Sequence, residues 1–433
     1  MEALVVGGGR PLYGEVDIGG AKNAALPILA ATVIHGGKYR IRRCPDITDV
    51  ELAGEIIAAL GGRAYRQKDA LLVDTTDVCR WRIPGHLMRK MRASVLFLGA
   101  LLARFGKAEL TMPGGCPLGR RPIDLHLQAL AQMGAEVMLT EQEIHCRADR
   151  LHGGTVSLPF PSVGATENVL LAAMSAHGTV ELLGGAQEPE IADLAEFLRE
   201  MGGDVEGCDG RWIVRGRSSL HGASHEVLPD RIETATYLCA AAGCGGKIEV
   251  KNTCGDLLLP VLEALERSGC KINCSENSIG LEAPERLHAP GHVETAPYPG
   301  FPTDAQAILM AALLRMEGTC CFSEGIFESR FGHVSQMQRL GAEICCGGCT
   351  ACVTGVPRLR GAIVEGCDLR ATAALIIAAL QAEGKSTVFG LKHLDRGYNN
   401  PEKNLRNLGA DIVRWGLPDA CNNSTGNFCC HGV

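Results

Sequence analysis

A short glycine-centred signature recurs six times along this chain of 433 residues. In its full form a glycine is followed by a small, a polar and an aliphatic residue, as in Leu340-Gly341-Ala342-Glu343-Ile344. The central glycines lie 67 to 73 residues apart and are Gly61, Gly134, Gly202, Gly269, Gly341 and Gly409. A glycine in this context is typical of the end of a helix that is followed by a strand. The chain is therefore an array of six similar units, which excludes most folds of this length.

A second series of glycines keeps the same spacing, 23 to 28 residues before the first. Its members are Gly37, Gly106, Gly178, Gly246, Gly318 and Gly384, each followed by Lys or Thr. Each glycine follows an Ala/Leu-rich segment and precedes an alternating one, such as Thr179-Val180-Glu181-Leu182. This order predicts a unit of helix, strand, helix and strand, with further short strands. We therefore predict an α/β fold of two domains, each with three repeats of about 70 residues.

Composition excludes some classes of partner. The net charge is −7 and 21% of residues are charged, so a general electrostatic attraction to nucleic acid or to an anionic membrane is not expected. No apolar run reaches the roughly 18 residues of a membrane span. The Met1-Glu2 start shows no signal-peptide pattern, so we expect a cytoplasmic protein. The 20 cysteines lie mostly among Ala and Leu, and we expect them to be reduced core residues.

Cations stand at three of the predicted helix starts. These are Lys22, Arg92 and Arg370, at equivalent places in their repeats. A cation beside the positive end of a helix dipole is unfavourable by a few tenths of a kcal/mol or more. An anion bound there by the cation and by free N–H groups removes that penalty. The pattern predicts an anionic ligand.

The most unusual segment is Pro113-Gly114-Gly115-Cys116, which is followed by Arg120 and Arg121. Its glycines and prolines predict an exposed loop that leads into a helix. Two nearby guanidinium groups are expected to lower the pKa of the Cys116 thiol. We predict that Cys116 is a nucleophile or a proton donor near neutral pH.

These segments occur in a characteristic order. The other segments of this order are Gly20-Ala21-Lys22-Asn23, Arg121-Pro122-Ile123-Asp124-Leu125-His126, Ser162-Val163-Gly164-Ala165-Thr166, Pro229-Asp230-Arg231, Phe301-Pro302-Thr303-Asp304, Glu328-Ser329-Arg330 and Asp395-Arg396-Gly397-Tyr398. With these segments, the chain resembles the bacterial UDP-N-acetylglucosamine 1-carboxyvinyltransferases, a family of enolpyruvyl transferases. The resemblance covers essentially residues 1–415. It implies two inside-out α/β domains, the first inserted into the second: residues 21–229, and residues 1–20 plus 230–433. Residues 418–433 follow the last repeat and are expected to be a frayed tail.

The resemblance also implies the reaction. The family transfers the enolpyruvyl group of phosphoenolpyruvate to the 3′-hydroxyl of UDP-N-acetylglucosamine and releases phosphate, without a metal or cofactor. This is the first committed step of peptidoglycan synthesis, and so of cell-wall biogenesis, cell shape and cell division.

Site residues follow by the same resemblance. Cys116 would donate a proton and can form a covalent adduct with phosphoenolpyruvate, while Asp304 would accept or orient the hydroxyl proton. Lys22 and Arg396 would also take part in catalysis. Phosphoenolpyruvate would contact Lys22, Asn23, Arg121, Arg330, Arg370 and Arg396. UDP-N-acetylglucosamine would contact Asn23, Arg92, Arg121, Pro122, Ile123, Asp124, Leu125, Ser162, Val163, Gly164, Asp304 and Ile326. His126 belongs to the pattern, but we expect a structural role for it.

Two alternatives remain open at this point. One is the related 3-phosphoshikimate 1-carboxyvinyltransferase activity, against which the Cys116 loop argues. The other is a regulatory paralogue that binds the nucleotide sugar without catalysis, which the presence of Lys22, Cys116, Asp304 and Arg396 disfavours. The spacing Cys346-x2-Cys349-x2-Cys352 is similar to a zinc knuckle, but no histidine flanks it, and we do not favour a metal there.

Overall fold

The computed structural model describes residues 2–114, 123–216 and 219–416. Its helices are α1 (Lys22–Ala31), α2 (Thr48–Leu60), α3 (Gly85–Met88), α4 (Phe97–Phe105), α5 (Asp124–Gln132), α6 (Val163–Ala173), α7 (Pro189–Glu200), α8 (Arg231–Cys244), α9 (Leu259–Arg267), α10 (Thr303–Ala312), α11 (Val334–Arg339), α12 (Leu369–Gln381), α13 (Leu391–Leu394) and α14 (Pro401–Asn407). Short 3-10 helices span Arg92–Leu96, Gly255–Leu257 and Leu313–Arg315.

The strands are β1 (Ala3–Gly7), β2 (Tyr13–Asp17), β3 (Lys38–Arg42), β4 (Arg63–Gln67), β5 (Ala70–Asp74), β6 (Lys107–Thr111), β7 (Glu136–Leu139), β8 (Glu143–Arg147), β9 (His152–Ser157), β10 (His177–Leu183), β11 (Asp204–Cys208), β12 (Arg211–Arg215), β13 (Ser224–Glu226), β14 (Lys247–Lys251), β15 (Lys271–Cys274), β16 (Ser278–Glu282), β17 (Val293–Glu294), β18 (Thr319–Ser323), β19 (Glu343–Gly347), β20 (Thr350–Thr354), β21 (Ile363–Glu365), β22 (Lys385–Phe389) and β23 (Asp411–Trp415).

The first helix of each repeat lies in the interior. In α12 every residue from Arg370 to Gln381 is buried, and most of α1, α6, α8 and α10 is buried in the same way. Helices that are apolar on all sides are stable only where they are surrounded by protein. The Ala-rich composition allows close approach of neighbours, and α8, α10 and α12 pack against one another. The sheets cover these helices from outside, which is the inside-out arrangement predicted.

Each repeat contributes one sheet. In the third repeat β10 pairs in parallel with β9 and antiparallel with β12, which forms a hairpin with β11. The sixth repeat has the same sheet, in the order β21-β22-β1-β23, but the N-terminal strand β1 takes one hairpin position. The two ends of the chain are therefore joined in one sheet. The six glycines of the first series adopt φ between 89° and 108°, which confirms the left-handed turn predicted after each helix.

Buried hydrophobic side chains form two clusters. One draws on residues 21–228, and the other on residues 4–18 together with 232–412. The chain passes between the clusters twice, near Gly20 and near Pro229, which form an isolated antiparallel bridge. The domain limits drawn from the resemblance stay a prediction, which these clusters support.

The expectation that the cysteines are reduced core residues is wrong for part of the set. Cys321 and Cys352 form a disulfide between β18 and β20. Six free cysteines of the described ranges are exposed: Cys79, Cys208, Cys274, Cys345, Cys346 and Cys349. Outward-pointing and inward-pointing residues alternate along a strand, so an exposed cysteine and a buried one have similar neighbours in the sequence. The neighbouring residues therefore do not predict which cysteines are buried.

The described ranges contain no group of three or more His, Cys, Asp or Glu residues placed to hold a metal ion. Among the same residues, no helix combines the length and apolar character needed to cross a bilayer.

Candidate active site

The candidate site lies where the first turns of several buried helices meet. Asp230 caps α8, since its Oδ1 accepts hydrogen bonds from the backbone N–H groups of Ile232 and Glu233 at 2.8 and 2.9 Å. Its other oxygen, Oδ2, accepts the backbone N–H of Lys22 at 3.2 Å, at the start of α1. The starts of α10 and α12 are joined by Asp304 and Arg370. Helix N-termini that converge in this way favour bound negative charge.

Asp304 is held between two buried arginines. Arg330 Nη2 lies 2.7 Å from its Oδ1, and Arg370 Nη2 and Nε lie 3.0 and 3.2 Å from its Oδ2. Burial would raise the pKa of Asp304, but the charges of Arg370 and Arg330 outweigh burial and hold it far below its usual range. As the site stands, Asp304 is a firmly ionised counter-ion and a weak base.

Both arginines are fixed by neighbours. Arg370 Nη1 donates to the Tyr398 hydroxyl at 3.1 Å, and that hydroxyl lies 2.7 Å from Thr236 Oγ1. Asp368 caps α12 by accepting the backbone N–H groups of Arg370 and Ala371. Arg330 Nη2 donates to the carbonyl of Thr303 at 3.2 Å. Tyr398 thus gains a positioning role that the sequence pattern did not suggest.

A second carboxylate, Asp49, joins Lys22 to Arg396. Its Oδ2 is 3.0 Å from Lys22 Nζ and its Oδ1 is 2.8 Å from Arg396 Nε, while the side chain is only 1% exposed. Burial alone would raise the pKa of Asp49, but the two cations lower it below its usual value. Lys22 and Asp49 lie in the part of the chain that forms the first cluster and Arg396 in the part that forms the second, so the carboxylate connects the two halves. Sequence analysis missed Asp49, because an acidic residue in the first turn of α2 is ordinary at a helix start.

A buried ion pair also crosses between the halves. Glu190, in the first turn of α7, accepts Arg231 Nε at 3.0 Å and Nη2 at 3.3 Å, and both side chains are less than a tenth exposed. Arg231 begins α8, directly after the cap Asp230. The start of α8 is thus held by two contacts with the first half of the chain, Asp230 with Lys22 and Arg231 with Glu190.

The expected contacts of the nucleotide sugar lie at other helix starts. Ser162 caps α6 by accepting the N–H of Ala165 at 3.4 Å, and Val163 and Gly164 form its first turn. A Cβ at Gly164 would lie 2.7 Å from His126 Cε1, so any larger residue there would displace the imidazole ring. His126 Nδ1 is 2.8 Å from Asn168 Nδ2 and the ring is buried, which agrees with a packing role.

The remaining candidates of this group lie at or just before the starts of three helices. Asn23 and Arg92 lie in first turns, of α1 and of the 3-10 helix before α4. Ile123 is buried, and Asp124 and Leu125 begin α5.

Glu324 organises the segment that contains Ile326. One carboxylate oxygen accepts the backbone N–H groups of Ile326 and Phe327 at 2.9 and 3.1 Å, and the other accepts Thr303 Oγ1 at 2.9 Å. The same buried side chain thus ties this segment to the start of α10. Sequence analysis missed Glu324, which stands outside the quoted motifs.

Four predictions concern residues within 115–122 or 417–433. Cys116, Arg121 and Pro122, as well as the predicted tail 418–433, lie outside the described residues. The chain enters the first of these stretches after β6 and leaves it just before α5.

Comparison with known proteins gives consistent matches. The family model for EPSP synthase (3-phosphoshikimate 1-carboxyvinyltransferase) matches residues 6–405. UDP-N-acetylglucosamine 1-carboxyvinyltransferase of Myxococcus xanthus is 44% identical over 423 residues, covering 96% of this chain and 99% of the relative. The protein of the same name from Dichelobacter nodosus is 45% identical over 416 residues, covering 96% and 99%.

Solved structures show the same architecture. The enolpyruvyl transferase NikO from Streptomyces tendae has a TM-score of 0.87 at 27% identity, covering 96% of this chain and 99% of that one. EPSP synthase from Acinetobacter baumannii has a TM-score of 0.74 at 16% identity, with 96% and 100% coverage, and supports the fold alone.

Proposed function

Since this chain belongs to the EPSP synthase family of carboxyvinyltransferases, we propose that it transfers the enolpyruvyl group of phosphoenolpyruvate to the 3′-hydroxyl of UDP-N-acetylglucosamine and releases phosphate. Relatives that bear this activity in their names are 44–45% identical to nearly the whole chain. Their similarity over nearly their whole length favours UDP-N-acetylglucosamine over shikimate 3-phosphate as the acceptor. The product is a precursor of peptidoglycan, made by a cytoplasmic enzyme from small-molecule substrates.

The observation that carries this proposal is a group of four cations, Lys22, Arg330, Arg370 and Arg396, which two carboxylates hold around the converging helix starts. Phosphoenolpyruvate presents a phosphate and a carboxylate, and both charges must be held while the reacting carbon changes its bonds. In this proposal Lys22 and Arg396 take the phosphate, and Arg330 and Arg370 take part of the remaining charge. The resemblance adds Arg121, which lies outside the described residues. In the structure two internal carboxylates, Asp49 and Asp304, keep these cations in place.

Asp304 gains basicity as the substrate binds. Its pKa is low because Arg330 and Arg370 are paired with it. When the anionic substrate draws on the donors of these guanidiniums, the pKa of Asp304 rises, and the carboxylate can take the 3′-hydroxyl proton. The hydroxyl oxygen then bonds to C2 of phosphoenolpyruvate while Cys116 supplies a proton to C3. Loss of a proton from C3 and cleavage of the C2–O bond release phosphate and restore the double bond.

The two hydrophobic clusters correspond in this proposal to domains 21–229 and 1–20 plus 230–433. Both domains contribute residues that act on the substrates: Lys22 and Cys116 belong to the first domain, and Asp304 and Arg396 to the second. A site at such a boundary is complete only when the two halves are in contact. Here Asp49 maintains that contact, because it pairs with both Lys22 and Arg396.

The test is release of phosphate from phosphoenolpyruvate with either UDP-N-acetylglucosamine or shikimate 3-phosphate as the acceptor. We expect turnover with the nucleotide sugar alone. Turnover with shikimate 3-phosphate only, or with neither acceptor, would overturn the proposal.

A matched pair of variants tests the cation site. Arg396→Gln removes a guanidinium next to Asp49, and Arg215→Gln removes one that pairs with Asp204 and Glu206 on an outer strand. We expect the KM for phosphoenolpyruvate to rise at least tenfold in the first variant and less than twofold in the second. Equal effects would show that Arg396 acts through general stability.

A further inference from the structure

Three cysteines lie in a row across neighbouring strands of the fifth sheet. Cys352, on the central strand β20, is paired in register with Cys321 on β18 and with Cys345 on β19. Residues directly opposite each other in antiparallel strands point to the same face. The three sulfur atoms are therefore on one face, with Cys352 in the middle.

This face points outward. Cys345 is an exposed free thiol, whereas Cys321 and Cys352 are half-buried and joined as a disulfide. The alternate residues Cys320, Ile344 and Val353 are buried on the opposite face. Cys345 is therefore open to solvent and adjacent to a disulfide that it can attack.

The alternative pairing fits the geometry of the sheet. The Cα atoms of Cys321 and Cys352 are 4.1 Å apart, as in a pair without direct backbone hydrogen bonds. The backbone N–H and C=O of one strand residue point toward the same neighbouring strand. Since those of Cys352 do not point toward β18, they point toward β19, and Cys352 and Cys345 form a hydrogen-bonded pair. Such pairs have Cα atoms about 5.5 Å apart, which lies within the usual range for disulfides, and their Cβ atoms, about 5 Å apart, must approach by about 1 Å for the bond to form.

We propose that Cys345, Cys352 and Cys321 form a thiol–disulfide exchange site in which Cys352 bonds to either neighbour. The thiolate of Cys345 attacks the sulfur of Cys352, forming the Cys345–Cys352 bond and breaking the Cys321–Cys352 bond. Cys321 leaves as a thiolate and takes up a proton equivalent to the one that Cys345 lost, so no net oxidation occurs. In either state the free thiol can also exchange with small disulfides from solution, and the disulfide with small thiols.

The site is close to the proposed active site. The hairpin between β19 and β20 carries Cys349, whose carbonyl accepts the backbone N–H of Glu324 at 2.8 Å. Glu324 in turn holds Ile326 and Thr303. The hairpin that carries Cys345 and Cys352 is therefore hydrogen-bonded to the residue that orders this segment.

The experiment maps disulfides in the full-length protein after equilibration with mixtures of reduced and oxidised glutathione. Cys346→Ser and Cys349→Ser are introduced first, so that the tryptic peptide 340–358 retains only Cys345 and Cys352. We expect two species: peptide 340–358 joined to peptide 316–330, and peptide 340–358 closed on itself with the loss of two hydrogen atoms. Cys321→Ser should leave only the closed peptide, and Cys345→Ser only the joined one.

Cys208 serves as the control, because it is an exposed cysteine on β11 opposite Arg211. It should form a glutathione adduct and no internal disulfide. Circular dichroism identifies variants that remain folded. Absence of the closed peptide in folded Cys321→Ser would overturn the proposal, as would internal disulfides to Cys208 at a similar yield.

Discussion

Replacement of Asp304 by asparagine tests the chemistry most directly. The change keeps the shape and one hydrogen-bond acceptor but removes the negative charge between Arg330 and Arg370. If the carboxylate accepts the hydroxyl proton, turnover should fall by roughly 10²–10⁴, the range for loss of a general base.

The substitution also has a structural cost, which the contacts allow to be estimated. Arg330 and Arg370 are each 3% exposed, so both guanidiniums lose a buried counter-ion. Removal of one partner from a buried pair costs about 3–5 kcal/mol. Asp304 itself is 30% exposed, and asparagine still accepts from one arginine, so we expect about 2–4 kcal/mol here. That is less than the total stability of a typical domain, so the variant should fold.

The assay separates the two effects. Turnover is measured by phosphate release at saturating substrates, and binding of UDP-N-acetylglucosamine by calorimetry. We expect a large loss of turnover with a binding constant that changes less than about threefold, because charge between two arginines is not needed to hold a sugar hydroxyl. Asp368→Asn is the matched control, since asparagine caps a helix about as well as aspartate. It should retain more than a tenth of wild-type turnover.

Two results would refute this reasoning. If Asp304→Asn retained more than a tenth of wild-type turnover, Asp304 would only be an ion-pair partner and helix residue. The pH profile gives the second: kcat/KM reports the free enzyme, in which two arginines keep the pKa of Asp304 low. An acid limb near pH 6 that the substitution abolished would contradict the observed pairing.

Three further predictions concern stability and labelling. Asp49→Asn should lower the melting temperature at pH 7, and calorimetry should show the difference shrinking below about pH 4, because a carboxyl with a lowered folded pKa stabilises only while ionised. His225, between Asp193 and Glu200 at 3.1 and 3.0 Å, loses solvation by burial, but the carboxylates outweigh this and raise its pKa. The stabilisation of the fold by His225 is full below the unfolded pKa of about 6.5 and is lost as the pH rises through the higher folded pKa. His225→Gln should therefore shift the urea midpoint of unfolding more at pH 5.5 than at pH 8.5. The epoxide phosphonate fosfomycin should alkylate Cys116 before any of the exposed cysteines, and faster with UDP-N-acetylglucosamine, as peptide mass mapping would show; label spread over several cysteines would contradict this.

The repeat, and the residues that begin the buried helices, can be read from the sequence alone. Both depend on local signals: a glycine that takes positive φ ends a helix, and an apolar Ala-rich segment of about ten residues forms one wherever it is enclosed. The cations Lys22 and Arg370 could be singled out because their penalty at a helix start is also local. The resemblance then supplied their roles and added Asp304.

Which charged side chains pair with one another depends instead on the tertiary fold. Asp49 and Arg396 are 347 residues apart, and Asp304 and Arg370 are 66 apart, yet each pair shares hydrogen bonds. Nothing in the local sequence of Asp49 distinguishes it from an ordinary acidic residue at a helix start, and nothing near Cys345 indicates that Cys352 and Cys321 lie beside it. These partners are fixed by strand register and by the packing of helices from different repeats, and contacts of that kind depend on the whole chain because each is formed only when the intervening units have folded.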